Sequence, residues 1–344
     1  MIYHVTYKNM GGINTYIHNL KTGSPNNHFI FEIGKGKEAT EIPRLTSQIH
    51  PEDCLIIHDP TFCRHLTCTT MCILIVLHGD SPFYYSAVQE FGQYVDGIIG
   101  VSDVMPANIP KRFHSKLLTL GPTITFRKST PIPLKEDGNL KLIFIAREDK
   151  NKGVHHLPSI DRIVTQNGIH TKWTIVLGSR PEKILQFRDW IGRQSSRVNV
   201  LENVPNDRIT ELISKHDSLV LPSGSEGHPM VLIEALSQSV PPFTFFYSTN
   251  CKNHLPIDPE GIVGPSYDPN ELAHRLIRHH QRSKQSLSEW QNYARAFIHE
   301  NHNPIKKNTT LNKFLASLPR TQKSPRKLLY YKWKRRFLIL LRRW

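Results

Sequence analysis

Two carboxylates around one short loop give the first chemical signal in this chain. The segment reads Leu221-Pro222-Ser223-Gly224-Ser225-Glu226-Gly227-His228-Pro229-Met230-Val231-Leu232-Ile233-Glu234. An apolar, strand-like run ends at Leu221, and small residues then turn the chain. Pro229 suits the first turn of a helix expected over Met230–Gln238. A strand, a tight loop and a helix start form a ready anion site, with free backbone N–H groups and the positive end of a dipole. Glu226 lies in the loop, and Glu234 lies one to two turns into the helix. An ionised carboxylate accepts paired hydrogen bonds, so two at this spacing could hold sugar-like rings on either side of a phosphate. Taken singly, each is an ordinary glutamate, one in a solvated loop and one on a helix.

Such a loop needs a strand behind it and a layer of helices around it. Apolar runs recur at Ile2–Thr6, Phe29–Ile33, Cys54–His58, Cys72–His78, Gly97–Val101 and Leu117–Leu120. Helical stretches such as Ile13–Leu20 and Ser86–Tyr94 lie between them. Strands without alternation, separated by helices, indicate a parallel sheet covered on both faces. Residues 121–140 carry Gly121, Pro122, Pro131, Pro133 and Gly138 with little apolar periodicity, which reads as a linker. A second run follows at Leu142–Ala146, Trp173–Leu177, Val198–Leu201, Ser218–Leu221 and Pro242–Phe245, with helices at 269–282 and 286–300. The expected fold class is α/β, with two Rossmann-like, doubly wound domains facing a cleft. Ligands of such sheets bind beyond the carboxyl ends of the strands. The expected division is 1–125, a linker 126–140, 141–302, and C-terminal helices with a basic tail over 303–344.

The spacing P-S-x-x-E-G-x-P-x-V-x-x-E-A around Glu226 and Glu234 resembles the E-x7-E signature of retaining GT-B glycosyltransferases of family 4. The resemblance implies that Glu234 binds the nucleotide ribose. It also implies that Glu226, with the stretch Gly227, His228, Pro229, Met230 and Val231, holds the donor sugar. Three further segments resemble that family in the order it would place them. Ile143-Phe-Ile-Ala-Arg147-Glu-Asp-Lys-Asn-Lys152-Gly153 is similar to a strand followed by G-R-x-x-x-x-K-G, with Ala146 where glycine is common. By resemblance, Arg147 and Lys152 place fixed positive charge on a diphosphate leaving group. Gly11-Gly12 follows the first strand, where glycine lets a backbone approach a ligand closely. By resemblance this is the glycine loop at the donor phosphate and acceptor cleft. His78 follows the fourth strand, and the resemblance places it at the donor sugar near the reacting carbon, with Asp80 as an acceptor contact. Asp96 to Ser102 resembles a strand of mainly structural role.

Elimination narrows the chemistry further. No Asp-x-Asp is present to hold a metal–diphosphate complex, and no G-x-S-x-G nucleophile motif occurs. The expected enzyme is a metal-independent hexosyltransferase with no cofactor and retention by front-face transfer, and the resemblance to family 4 implies a UDP-sugar as favoured donor. Paired carboxylates would also suit a glycosidase, but a hydrolase has no use for the phosphate site.

Composition bounds the partners. The chain has 344 residues, 44 Lys or Arg against 29 Asp or Glu, and a formal charge of +15. Residues 320–344 hold ten of those cations and no acid, so the remaining residues carry only +5. In the stretch 326–344, Leu329, Trp333, Phe337, Leu340, Leu341 and Trp344 share roughly one helical face. That suits an anionic membrane surface. A docked terminal helix and a nucleic-acid arm are the other readings, and no nucleic acid is expected because the apolar content exceeds what phosphate binding needs. No window approaches a bilayer span, and Met1–Val5 is too short for the apolar core of a leader. Five cysteines fit a reducing compartment better than a disulfide framework. Cys54, Cys63, Cys68 and Cys72 with His65 form a minor metal alternative without a C-x-x-C knuckle. The expectation is a cytoplasmic, peripherally membrane-associated enzyme acting on a lipid-linked saccharide such as a lipopolysaccharide core. The contrasting expectation is a non-catalytic membrane- or nucleic-acid-binding protein on a degenerate nucleotide fold.

Overall fold

Unbroken apolar runs, too short for core helices, become the central strands of two sheets. The computed structural model describes residues 1–8, 10–66, 71–125, 139–146, 150–178, 197–224, 226, 229–245 and 266–319. Two units result: Met1–Thr123 with the returning helix Pro304–Ser317, and Ile124–Asn303. The basic tail 326–344 lies outside the described residues.

In the first unit the strands are β1 (Ile2–Tyr7), β2 (His28–Ile33), β3 (Cys54–Ile57), β4 (Cys72–Leu77), β5 (Gly97–Gly100) and β6 (Leu117–Thr119). Their order is β2-β1-β3-β4-β5-β6, and each neighbouring pair is parallel. All four residues of β3 and of β5 are buried, which is why these strands show no alternation. Edge strand β2 instead leaves Phe29 and Phe31 exposed. The helix Glu38–Gln48 holds Pro43, a breaker that hid this element from the sequence reading. Asp96 is buried, and its carboxylate accepts from the Ile73 amide at 2.7 Å, joining the start of β5 to β4. The returning helix Pro304–Ser317 buries Leu311 in this unit's core. Removing such a side chain from water contributes roughly 1.5–3 kcal/mol. Gly97 makes room for the end of that helix, since a Cβ there would stand 3.0 Å from Leu318 Cδ1.

The second unit holds β7 (Leu140–Ala146), β8 (Thr171–Leu177), β9 (Val198–Glu202), β10 (Ser218–Leu221) and β11 (Pro242–Thr244), in the parallel order β11-β10-β7-β8-β9. The strand order reverses between β7 and β10. Such a switch point, at the carboxyl ends of the two strands, is where sheets of this kind form a ligand crevice. Buried Arg275 steadies the edge: its guanidinium donates to Glu271 Oε2 and to the Thr244 carbonyl, both at 2.9 Å. A buried cation with both partners satisfied costs little; one left unpaired costs several kcal/mol.

Candidate functional site

The β7–β10 reversal brings together two loops that lie about seventy residues apart in sequence. After β7 come the short turn Lys150–Lys152 and then Gly153, at φ 73°. A Cβ on Gly153 would sit 1.6 Å from the Pro222 carbonyl oxygen. Glycine is needed there twice, for its left-handed backbone and for contact with the loop after β10. The Asn151 carbonyl accepts from the Gly224 amide at 2.8 Å and from Ser223 Oγ at 2.9 Å. These contacts set the two loops in one register.

That register seats the charged pair. Lys152 Nζ donates to both Glu226 oxygens, at 2.5 and 2.6 Å. Ser223 Oγ adds a hydrogen bond to Glu226 Oε1 at 2.8 Å. Glu226 is thus held in one orientation by a partly buried Lys152 cation. Eight residues on, Glu234 lies in the helix Met230–Ser237. Its carboxyl is desolvated, and burial pushes its pKa up to about 7. A ligand hydroxyl that donates to it would lower that pKa again. Pro229 is the residue before that helix, with an extended backbone, rather than part of its first turn. Met230 and Val231 open the helix as expected. Arg147, Gly227 and His228 lie outside the described residues. A cavity of about 40 Å³ elsewhere in this unit, against Leu140, Ser218 and Trp290, lies at the amino ends of β7 and β10, away from all of these groups.

The first unit carries the other named residues. Gly11 is the residue before the helix Gly12–Thr22, at φ 51° and ψ −116°. No atom lies within 4 Å of the position its Cβ would take, so conformation and not packing calls for glycine. His78 follows β4, partly exposed, and its Nε2 bonds His58 Nδ1 at 2.7 Å. Burial pushes the His78 pKa down to about 3. Asp80 Oδ1 accepts from the Tyr85 hydroxyl. Among the described residues the structure joins Lys152 with Glu226; Gly11, His78 and Asp80 belong to the other unit. Sequence reasoning passed over Ser223, Asn151 and His58. The strand-end position of His58 was visible, since Cys54–His58 was read as a strand ending on a polar residue.

The model of the family described as glycosyl transferases group 1 matches residues 126–297, half of the chain. The chain belongs to that family. Its matched half includes both loops of the β7–β10 crevice. Comparison of this glycosyltransferase family member with curated proteins gives no match by sequence. Solved structures share its fold. HepE of Anabaena in complex with UDP-glucose gives a TM-score of 0.72 at 14% identity, covering 92% of this chain and 99% of HepE. A glycosyltransferase from Rickettsia africae gives 0.69 at 13%, covering 92% and 98%. A mutant of S. aureus TarM in complex with fondaparinux, alpha-GlcNAc-glycerol and UDP gives 0.67 at 15%, covering 80% of this chain. The group 1 chain spans 58% of the length of TarM. The shared architecture is GT-B, two Rossmann-like domains each built on a parallel sheet.

Proposed function

We propose that this chain transfers a sugar from a nucleotide-diphosphate sugar, with uridine as the base, to a saccharide acceptor, retaining the anomeric configuration. The observation that carries the reading is the Lys152–Glu226 pair, fixed across the strand-order reversal in a member of the glycosyltransferase family. The desolvated carboxyl of Glu234 in the following helix supports a second hydroxyl contact. The UDP and UDP-glucose held by TarM and HepE support uridine.

In this reading Glu234 accepts from the ribose hydroxyls. Glu226 and the start of the helix Met230–Ser237 hold the donor sugar. Lys152 and Arg147 neutralise the charge that grows on the diphosphate as the anomeric C–O bond breaks, without a metal ion. The acceptor hydroxyl forms the new bond on the face the diphosphate leaves, and its proton passes to a phosphate oxygen of the leaving group. His78 holds a sugar hydroxyl near the reacting carbon, and Asp80 touches the acceptor. We assign the acceptor to the lipid-linked saccharides, of the lipopolysaccharide-core type. The cations and apolar face of 326–344 would seat the enzyme on an anionic leaflet. No helix among the described residues is long and apolar enough to cross a membrane.

The test is a thermal-shift panel of the full chain, without added metal, against UDP, GDP, ADP and their sugars. A saturating nucleotide at 100 times its Kd should stabilise by about 2.7 kcal/mol. A shift with uridine nucleotides alone, lost in Arg147→Ala and Glu234→Ala, is expected. No shift with any nucleotide in a folded sample would overturn the reading in favour of a non-catalytic protein. Deleting 320–344 should abolish binding to anionic vesicles and lower transfer to a lipid-linked acceptor while sparing UDP binding.

A further inference from the structure

His78 does not stand alone. Four histidines from successive positions of the first sheet form one hydrogen-bonded line. His78 Nε2 meets His58 Nδ1 at 2.7 Å, His58 Nε2 meets His4 Nδ1 at 2.9 Å, and His4 Nε2 meets His28 Nδ1 at 2.8 Å. The rings stack or tilt on one another with centroids 5.0–5.2 Å apart. They come from β2, β1 and the carboxyl ends of β3 and β4, so the line crosses four adjacent strands. His28, His4 and His58 are 1%, 0% and 1% exposed. The Tyr16 ring packs edge-on against His58 and His78.

Burial disfavours imidazolium at every ring in the line, and neighbouring imidazoles add to that at His4 and His58. A neutral imidazole carries one N–H and one lone pair. Three bonds among four such rings can therefore run in only two ways, all donating toward His78 or all donating away from it. The far end decides between them. Asn308, on the returning helix Pro304–Ser317, donates from Nδ2 to the carbonyls of Leu20 at 2.5 Å and Pro304 at 3.0 Å. That fixes its amide orientation and leaves Oδ1 as an acceptor. Gly23 makes this position available, since a Cβ there would stand 2.4 Å from Asn308 Nδ2. Asn308 Oδ1 and His28 Nε2 are both buried and satisfied by no other hydrogen bond, and the Asn308 side chain raises the His28 pKa as an acceptor beside it does. Pairing these two atoms leaves neither unsatisfied, and the pairing requires the proton on Nε2. His28 Nδ1 is then a lone pair, His4 donates to it from Nε2, His58 donates to His4 from Nε2, and His78 donates to His58 from Nε2. The last lone pair in the line is His78 Nδ1.

We propose that His28, His4 and His58 are positioning residues: their buried line, anchored by Asn308, locks His78 in the Nε2–H tautomer and presents its Nδ1 as an acceptor for a substrate hydroxyl. The substrate part rests on the role given to His78 under the proposed function. The line is a brace and not a proton path, because an amide at its far end neither takes nor gives a proton.

Nitrogen-15 NMR of the histidine-labelled full chain reads tautomers directly, with His78 identified by loss of its signal in His78→Gln. The expected result at neutral pH is protonated Nε2 and unprotonated Nδ1 on His78; protonated Nδ1 would overturn the proposal. This reading needs only wild-type protein and the assignment variant. His28→Phe removes the acceptor for His4 Nε2, and a buried N–H without a partner is worse tolerated than a bare lone pair. The line should then reverse and put the proton on His78 Nδ1, with kcat down about tenfold and donor KM little changed. His28→Gln restores the acceptor for His4 and a donor for Asn308, and should restore both tautomer and kcat. A variant line that fails to reverse would overturn the brace. Reversal with unchanged kcat would uphold the brace and remove His78 from the transfer step, so the two ideas fail separately.

Discussion

The two units solve the same problem, holding polar groups at the carboxyl ends of a parallel sheet, by opposite means. In the second, the polar groups sit on two short loops, Lys150–Gly153 and the one after β10 that carries Ser223 and Glu226, joined by one backbone hydrogen bond, one serine hydroxyl bond and one close glycine contact. In the first, it is a side-chain line drawn from four strands and closed by a residue from the far end of the chain. The loop site is charged, and in the proposed function ligand hydroxyls and phosphate complete its bonding. The histidine line is buried where imidazolium is disfavoured, and its bonds are almost complete before any ligand arrives. One site is therefore tuned by charge, the other by the direction of hydrogen bonds.

Breaking the charged site should give the largest effect. Lys152→Ala removes the cation opposite the leaving diphosphate and leaves Glu226 without its ion-pair partner. We expect kcat to fall 10²–10³-fold, read by transfer from a UDP-sugar with the fold checked by circular dichroism. Equal rates in variant and wild type would move the leaving-group charge to another residue. Next comes the joint between the loops. Gly153→Ala must leave φ 73° or push Pro222 away, so a loss of about 2 kcal/mol or more is expected in urea unfolding, with nucleotide binding weakened at the same time.

Acid should find the histidine line first. Burial, then neighbouring imidazoles, hold His4 and His58 well below the ordinary value of about 6.5. Both stay neutral in the fold while the unfolded chain takes up protons below pH 6.5. Stability is thus level above that pH and falls as pH drops below it, by up to about 1.4 kcal/mol per unit for each histidine. Urea midpoints at pH 7.5, 6.5 and 5.5 test this; a flat profile would show that the line is charged or open to water. Glu234 has the reverse dependence. Its carboxyl is raised to about 7, so the stability its neutral form preserves is present below about pH 4.5 and is lost as pH rises to 7. Glu234→Gln should stabilise the ligand-free protein at pH 8 by about 1–2 kcal/mol, with the gain vanishing near pH 4.5. The same variant should bind UDP about tenfold more weakly. If it bound UDP as tightly as wild type, Glu234 would not be the ribose contact.

Much of the second unit was legible in the chain. Short buried strands such as Ser218–Leu221 announce themselves by unbroken apolar residues, and Lys152-Gly153 and Glu226 to Glu234 are local patterns whose spacing one loop and one helix fix. Helix Glu38–Gln48 was not legible, because Pro43 reads locally as a breaker while Ile42 and Leu45 bury against the core. The histidine line was not legible either. His4, His28, His58 and His78 have no common sequence interval, and any one of them reads as a core or surface histidine.

By itself the sequence determined which segments are buried strands, where their loops turn, and which loop and following helix carry the paired carboxylates. Those are short-range properties, set by side-chain period, glycine conformation and the free N–H groups of a helix end. Only the tertiary structure decided that β7 and β10 are neighbours, which puts Lys152 on Glu226. It alone set β2, β1, β3 and β4 side by side and returned Asn308 to Leu20. Sheet order and the docking of a distant helix are fixed by the burial of whole faces, and no local spacing encodes which strand will lie beside which.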